Sequence, residues 1–335
     1  MKAVIRLLLL GVGLALLAWF IRQAGPGQIF AAFVQLHWQT VLVLIPYVFV
    51  YLADAMGWRF AFGRNLPPGT PFRTLLRIRW AGEAVNNVVP SAYIGGEALK
   101  VYLLQKRGVA TADGTSSVVA GKTAQTLSQV LFLAIAACAL SRVTASGGRL
   151  DGAAWVAVGV ILTALAVLFW LQKIGPFSLA LRLLQVLRVF NGTATRKLEL
   201  MRSIDDRLLE FYRRDRKHFC LSATSYLAGW LLGTLEVLTV AYLLGTPIGL
   251  APAVVIEAFV GVAKIFGVLV PGALGVQETG IVLMCRVAGL PDPFGVSYAI
   301  LRRGREVVFA LIGLTIVYAE EFDLRRLRKR LDRAA

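Results

Sequence analysis

The sequence predicts an all-α polytopic membrane protein, with about six transmembrane helices plus two re-entrant helical hairpins arranged as an inverted repeat. Three observations carry this. Of the 335 residues 57% are hydrophobic and 16% charged, with mean hydropathy +0.69, too apolar for a water-soluble domain of this size. The net charge of +17, which in a soluble protein suggests nucleic acid, falls between the apolar stretches, as the positive-inside pattern requires. Finally, two apolar regions are broken by related strings, VVPSAYIGGE ending at residue 97 and LVPGALGVQE ending at residue 278, 181 residues apart.

Stretches long enough to cross about 30 Å of hydrocarbon run near residues 4–22, 40–62, 114–140, 152–172, 219–244 and 295–319. The first, with Lys2 and Arg6 ahead of it, resembles a signal peptide, but no small-x-small cleavage site follows, so it is read as a retained span. Regions 74–107 and 252–291 hold the broken strings. After the second break, Val276 to Leu290 reaches only about 22 Å as a helix, which suits an arm that enters and leaves on one side. The segment 173–217 alternates basic and apolar residues at helical spacing, and predicts amphipathic helices on the inner headgroups or a solvated linker helix.

Charge fixes an orientation. The N-terminus, the connection with Arg64, Arg73, Arg77 and Arg79, the exit at Lys106 and Arg107, segment 173–217 and the tail from Arg325 all fall on one side, while the other holds Arg22, Arg142 and Arg149. Both termini are therefore expected in the cytoplasm, and Asn191-Gly192-Thr193 is set aside as a glycosylation sequon. Cys138, Cys220 and Cys285 sit in apolar segments and are read as packing residues, with no disulfide framework, metal site or cofactor implied.

Shifting one string onto the other aligns more than the strings. Pro90 meets Pro271, Glu97 Glu278, Gly108 Gly289, Gly114 Gly295, Ser116 Ser297, Lys122 Arg303 and Gln125 Glu306. The expected organisation is thus a single membrane domain, 1–335, with repeat one at about 74–140 and repeat two at about 252–319, joined through segment 173–217. Unpaired backbone is tolerated in a bilayer only against protein or a wet cavity, so the breaks at Pro90, Gly95, Gly96, Pro271, Gly272 and Gly275 should face the interior, as in alternating-access carriers. Glu97, Lys100, Lys122, Glu236, Glu257, Lys264, Glu278, Arg286, Arg302, Arg303, Arg305 and Glu306 fall in or beside apolar segments, where an unpaired ion costs at least a few kcal/mol. They are expected to line one polar interior. Glu97, Lys100, Lys122, Gln125, Glu278, Arg302, Arg303, Arg305 and Glu306 form the candidate substrate site. Its cations suit an anionic headgroup, and its glutamates serve charge balance or proton uptake, or structurally cap the second half-helix or ion-pair across the repeat interface with Arg303 and Lys122. Lys264 lies opposite Glu83 in the repeat register.

LVPGALGVQE, the Gly289 turn and YAILRRGREVVFALIGL resemble the membrane domain of lysylphosphatidylglycerol synthases, a family with stand-alone bacterial members, some associated with hopanoid biosynthesis. VPSAYIGGEALK is similar to the family's Pro, Gly-Gly-acid, basic pattern, with Lys100 in the usual arginine place, and Gln125 departs from its acid. The resemblance implies a flippase-type domain of the bacterial inner membrane that moves a polar, anionic lipid headgroup between leaflets. It does not imply aminoacyl transfer, and after Tyr318 only AEEFDLRRLRKRLDRAA follows, so the soluble transferase domain is not expected. Expected partners are the lipid substrate, anionic headgroups at the cytoplasmic face, and either a second copy of the chain or a lipid-synthesis enzyme. Nucleic acid is not among them. The competing readings are a membrane-embedded lipid-modifying enzyme, disfavoured because only His37 and His218 are present and neither is near the repeat, a secondary transporter of a small anionic solute, and a scaffold.

Overall fold

The structure, a computed structural model, describes residues 37–66, 70–89, 94–143, 194–266 and 276–334 together with a few isolated positions before residue 37. The described elements are helical: α1 (Thr40–Ala61), α2 (Phe72–Val88), α3 (Ile94–Gln105), α4 (Thr111–Val143), α5 (Ala194–Arg214), α6 (Arg216–Leu243), α7 (Leu250–Phe266), α8 (Val276–Val287) and α9 (Asp292–Ala334), with short 3-10 turns at His37–Gln39 and Gly63–Asn65. Three are long and apolar enough to cross a membrane, Val41–Ala61, Thr111–Leu140 and Arg216–Leu243, at the positions hydropathy marks. The expected spans at 4–22 and 152–172 lie outside the described residues.

The last expected span, 295–319, is different. It belongs to the 43-residue α9, about 65 Å long at 1.5 Å per residue. Arg302, Arg303, Arg305 and Glu306 keep it from the continuous apolar run of a lipid-facing span, and these side chains are buried in protein instead.

In each region broken by a Pro/Gly string the chain forms a pair of helices with a short second arm. α3 and α8 have 12 residues each, about 18 Å, well short of a crossing. The breaks at Pro90, Pro271, Gly272 and Gly275 lie outside the described residues, whereas Gly95 and Gly96 open α3. Gly96 allows close contact between arms: a Cβ there would collide with the Gly82 carbonyl and with Asn86, whose Oδ1 accepts the Gly96 N–H at 2.7 Å.

Backbone detail recurs at the 181-residue spacing. α4 begins at Thr111 and α9 at Asp292. The turns before them share a bond pattern, Val109 N–H to the Leu104 carbonyl at 3.1 Å and Leu290 N–H to that of Cys285 at 2.9 Å. Gly108 and Gly289 hold φ of 83° and 74°, the left-handed conformation that closes a helix end. Neither would meet an atom within 4 Å on gaining a Cβ, so only backbone strain opposes a side chain. Gly108→Ala and Gly289→Ala are each expected to lower stability by about 1–2 kcal/mol, measured by thermal unfolding in detergent.

The helices pack in exchanged pairs. α1 lies along α6, α2 packs on α9, and α4 on α7, so each hairpin's first arm rests on the long helix that follows the other hairpin. Tyr47 and Tyr51 of α1, Trp80 of α2 and Phe309 of α9 stack at one junction, where Trp80 Nε1 donates to the Phe309 carbonyl at 3.0 Å. Farther along, the buried Glu320 carboxylate of α9 receives Arg77 of α2 at 3.1 Å and Arg107 of the α3–α4 turn. At the positions 181 residues away, all three partners are alanines: Ala139, Ala258 and Ala288. Ala258 is buried with Phe132, Ala136 and Val254, and Ala139 packs on that group.

Two expectations are corrected. The apolar face of α5 does not rest on headgroups: Ile204, Leu208 and Phe211, at helical spacing, are buried in a protein core with Trp58, Leu75 and Val118, and Tyr212 and Thr123 hydroxyls hydrogen-bond at 3.0 Å. Burial pushes the Tyr212 phenol up to about 12, with the Thr123 bond opposing. Residues 173–193 lie outside the described residues. Of the cysteines, Cys285 is a buried packing residue, whereas Cys138 and Cys220 are exposed because they fall on outward faces of α4 and α6.

Candidate functional site

A cavity of about 360 Å³ lies within the bundle, walled by α1, α2, α4, α6, α7 and α9. Lys122 and Gln125, one turn apart on α4, line it with Thr126 and Gln129. α2 contributes Arg79, Glu83 and Asn87, each one turn from the next, while α9 contributes Arg302. Tyr47, Tyr51, Asp54, Trp230 and Glu257 complete the polar and aromatic lining. The wall is charge-balanced, with Arg79, Lys122 and Arg302 facing Asp54, Glu83 and Glu257, where a cation-rich site was expected.

Space for the carboxylates comes from glycine. Gly229 and Gly233, one turn apart on α6, lie against Asp54 and Glu257; a Cβ at these positions would sit 2.6 Å from Asp54 Oδ1 and 2.9 Å from Glu257 Oε1. Arg79 ion-pairs with Asp54 and lies over the Tyr51 ring. Arg302 reaches Glu257 with Nη1 at 2.7 Å and Nη2 at 3.2 Å, and Nη1 also bonds the Tyr298 hydroxyl at 2.7 Å. This two-pronged grip keeps a buried guanidinium partnered where solvent cannot screen it.

Behind the lining, the other candidate residues form two clusters at matching positions. In the first, Glu97 of α3 receives Lys122 at 3.1 Å and Lys100 at 2.9 Å, and Lys122 donates to Gln125 Oε1 at 3.2 Å. In the second, Arg303 of α9 ion-pairs with Glu278 of α8 and with Glu306 at 2.7 Å, and Gln277 Nε2 donates to Glu306 at 3.1 Å. Both sets of pairs form within their own half of the chain, where pairs across the repeat interface were expected, because each short arm packs on the long helix that follows it. Arg305 joins the interior through Glu236, at 2.8 Å, and lies 3.3 Å from the centre of the Tyr47 ring, while Glu236 also meets Arg302 at 3.4 Å.

Of the nine candidate substrate-site residues, Lys122, Gln125 and Arg302 line the cavity. Glu97, Lys100, Glu278, Arg303, Arg305 and Glu306 pair in the surrounding network instead. Arg286, expected in the polar interior, is exposed in the last turn of α8, and the Lys264 side chain lies outside the described residues. Arg79, assigned from sequence to a connection outside the membrane segments, is buried against the cavity because Asp54 supplies its counter-charge. Asp54 itself was missed. The available signal was a lone acid within an otherwise apolar stretch, which is costly unless paired.

No curated protein matches the chain in sequence. The model of the lysylphosphatidylglycerol synthase TM region matches residues 4–313 and so takes in every residue that lines the cavity. The chain therefore belongs to the lysylphosphatidylglycerol synthase transmembrane-region family.

Proposed function

We propose that this chain moves a polar, anionic lipid headgroup between the leaflets of a bilayer, the headgroup passing through the cavity while its acyl chains remain in lipid. The observation that carries this reading is the charged cavity of about 360 Å³ that the three apolar, membrane-length helices help to wall. Ions in such a setting are costly and are retained where they serve a polar cargo. Two short-armed helix pairs with matching turns support an inverted repeat of re-entrant hairpins that open the cavity alternately to each side. In this reading the chain is a carrier and not an enzyme. It resides in the bacterial cytoplasmic membrane with both termini in the cytoplasm, and acts with a second copy of itself or a lipid-synthesis enzyme.

Reconstitution in liposomes with fluorescent lipids tests the proposal. A panel of anionic phospholipids, polyprenyl phosphates and hopanoids is expected to include at least one that crosses faster than in protein-free vesicles. Arg303→Glu, which sets a third carboxylate beside Glu278 and Glu306, should slow that crossing at least tenfold. No movement above empty vesicles for any lipid overturns the reading, and a native rate in Arg303→Glu favours a scaffold.

A further inference from the structure

Lys122 differs from every other cation of the described network. Its side chain is 42% exposed, whereas Arg79, Lys100, Arg302, Arg303 and Arg305 range from 0% to 8%. The buried five are held by carboxylates, and although Arg79 and Arg302 also line the cavity and Arg302 Nε has no hydrogen-bond partner among the described residues, their charges are already neutralised by the acids that hold them. Lys122 has three ammonium protons and spends two, on Glu97 and Gln125, so one remains for the cavity it lines.

Comparison of the two halves shows why its charge is less neutralised. Arg303, the equivalent of Lys122, sits between two carboxylates, Glu278 and Glu306. Lys122 has one carboxylate, Glu97, which it shares with Lys100, and at the position of Glu306 it meets the neutral Gln125. The four positions Glu97, Lys100, Lys122 and Gln125 sum to one positive charge, and their equivalents Glu278, Ile281, Arg303 and Glu306 to one negative. Of the other wall carboxylates Asp54 is committed to Arg79 and Glu257 to Arg302, while the charge of Glu83 is spread over Arg79, Lys100 and Lys122.

We infer that Lys122 is the residue that grips a phosphate oxyanion of the substrate, and that neutral Gln125 is the specificity determinant that leaves its charge available. This rests on the proposed cavity and deepens it: the ligand is a phosphate ester, taken through one contact point on α4. Thr126 and Gln129, on the same wall, offer hydroxyl and amide groups to its remaining oxygens.

The test uses the purified full chain in detergent, titrated calorimetrically with dihexanoyl phosphatidylglycerol and with glycerol 3-phosphate. Lys122→Gln and Gln125→Glu are each expected to weaken binding at least tenfold, and Lys122→Arg to stay within threefold of the native chain. Gln125→Glu recreates the arrangement at Arg303 and Glu306, so it should melt at or above the native temperature, which separates lost binding from lost folding and keeps the test decisive if Lys122→Gln fails to fold. Binding within twofold of native in both weakened variants, or no binding of either probe by the native chain, overturns the inference. Preference for the diacyl probe assigns the site to a lipid headgroup; equal affinity for glycerol 3-phosphate keeps the site and assigns it to a free phosphate ester. Lipid movement at the native rate in both variants removes Lys122 from the path while leaving translocation standing. Weakened binding with no lipid movement in any variant keeps the site and overturns translocation.

Discussion

Gly96→Val is expected to dismantle the first hairpin, lowering stability by about 3–5 kcal/mol. A Cβ at Gly96 meets the carbonyl of Gly82 and the carboxamide of Asn86, and the first obstacle is backbone that no rotamer change can move aside. Overpacking of this kind costs about 1–3 kcal/mol. Forcing the arms apart also breaks the buried bond from Gly96 N–H to Asn86 Oδ1, stranding both groups for about 1–3 kcal/mol more. The measurement is thermal unfolding of detergent-purified protein, with the monodisperse fraction as a second readout. Gly114→Ala is the control: its Cβ would meet Leu104 at 3.5 Å and Val101 at 3.9 Å, ordinary contact distances, and within helix α4 alanine is favoured over glycine by about 1 kcal/mol. A neutral or stabilising control beside a collapsed Gly96→Val locates the damage in the contact between arms. Equal effects would refute that account.

Glu236→Ala should be comparably damaging, by a different route. Glu236 is fully buried and receives Arg305 at 2.8 Å and Arg302 at 3.4 Å. Arg302 keeps Glu257, but Arg305 is left with the Tyr47 ring and a 3.9 Å approach to Glu306. Removing one partner of a buried pair costs about 3–5 kcal/mol, because the survivor cannot be solvated. Glu236→Gln keeps an acceptor in place and should lose less. Combining Glu236→Leu with Arg305→Leu removes both charges and should recover most of the stability. Failure of the double variant to recover would show that the pair contributes shape as well as charge.

The three apolar spans were legible because hydropathy reports a property of each helix alone. The Gly108 and Gly289 turns were legible because a left-handed helix end restricts residue type. The partners of Lys122 and Arg303 could be named because an intramembrane ion needs a counter-charge, but that each pair stays within its own half, joining a short arm to the long helix that follows it, could not. Arg79 could not be placed in this way. It shares the string RIRW with Arg77, yet Arg79 is buried with Asp54 while Arg77 is half exposed beside Glu320, and the choice depends on which helix lies opposite. The balanced charge of the cavity was hidden for the same reason, since Asp54, Glu83 and Glu257 come from three helices distant in sequence. The face of α5 misled because an amphipathic stripe looks the same whether it meets lipid or α4.

The carboxylate of Glu320 and the three alanines at the matching positions give the opposite poles of one architecture different sensitivities. Salt screens charges separated by more than a Debye length, about 8 Å at physiological strength, and acts little on partly buried pairs, so the pairs of Arg77, 3.1 Å away, and Arg107 with the buried Glu320 carboxylate are largely insensitive to it. Ala139 and Ala258 offer nothing to screen, and excluded salts such as sulfate tighten apolar contacts of that kind. One solution condition thus tightens the second pole while leaving the first nearly unchanged, so a chain built from two like halves need not part with equal ease in both directions.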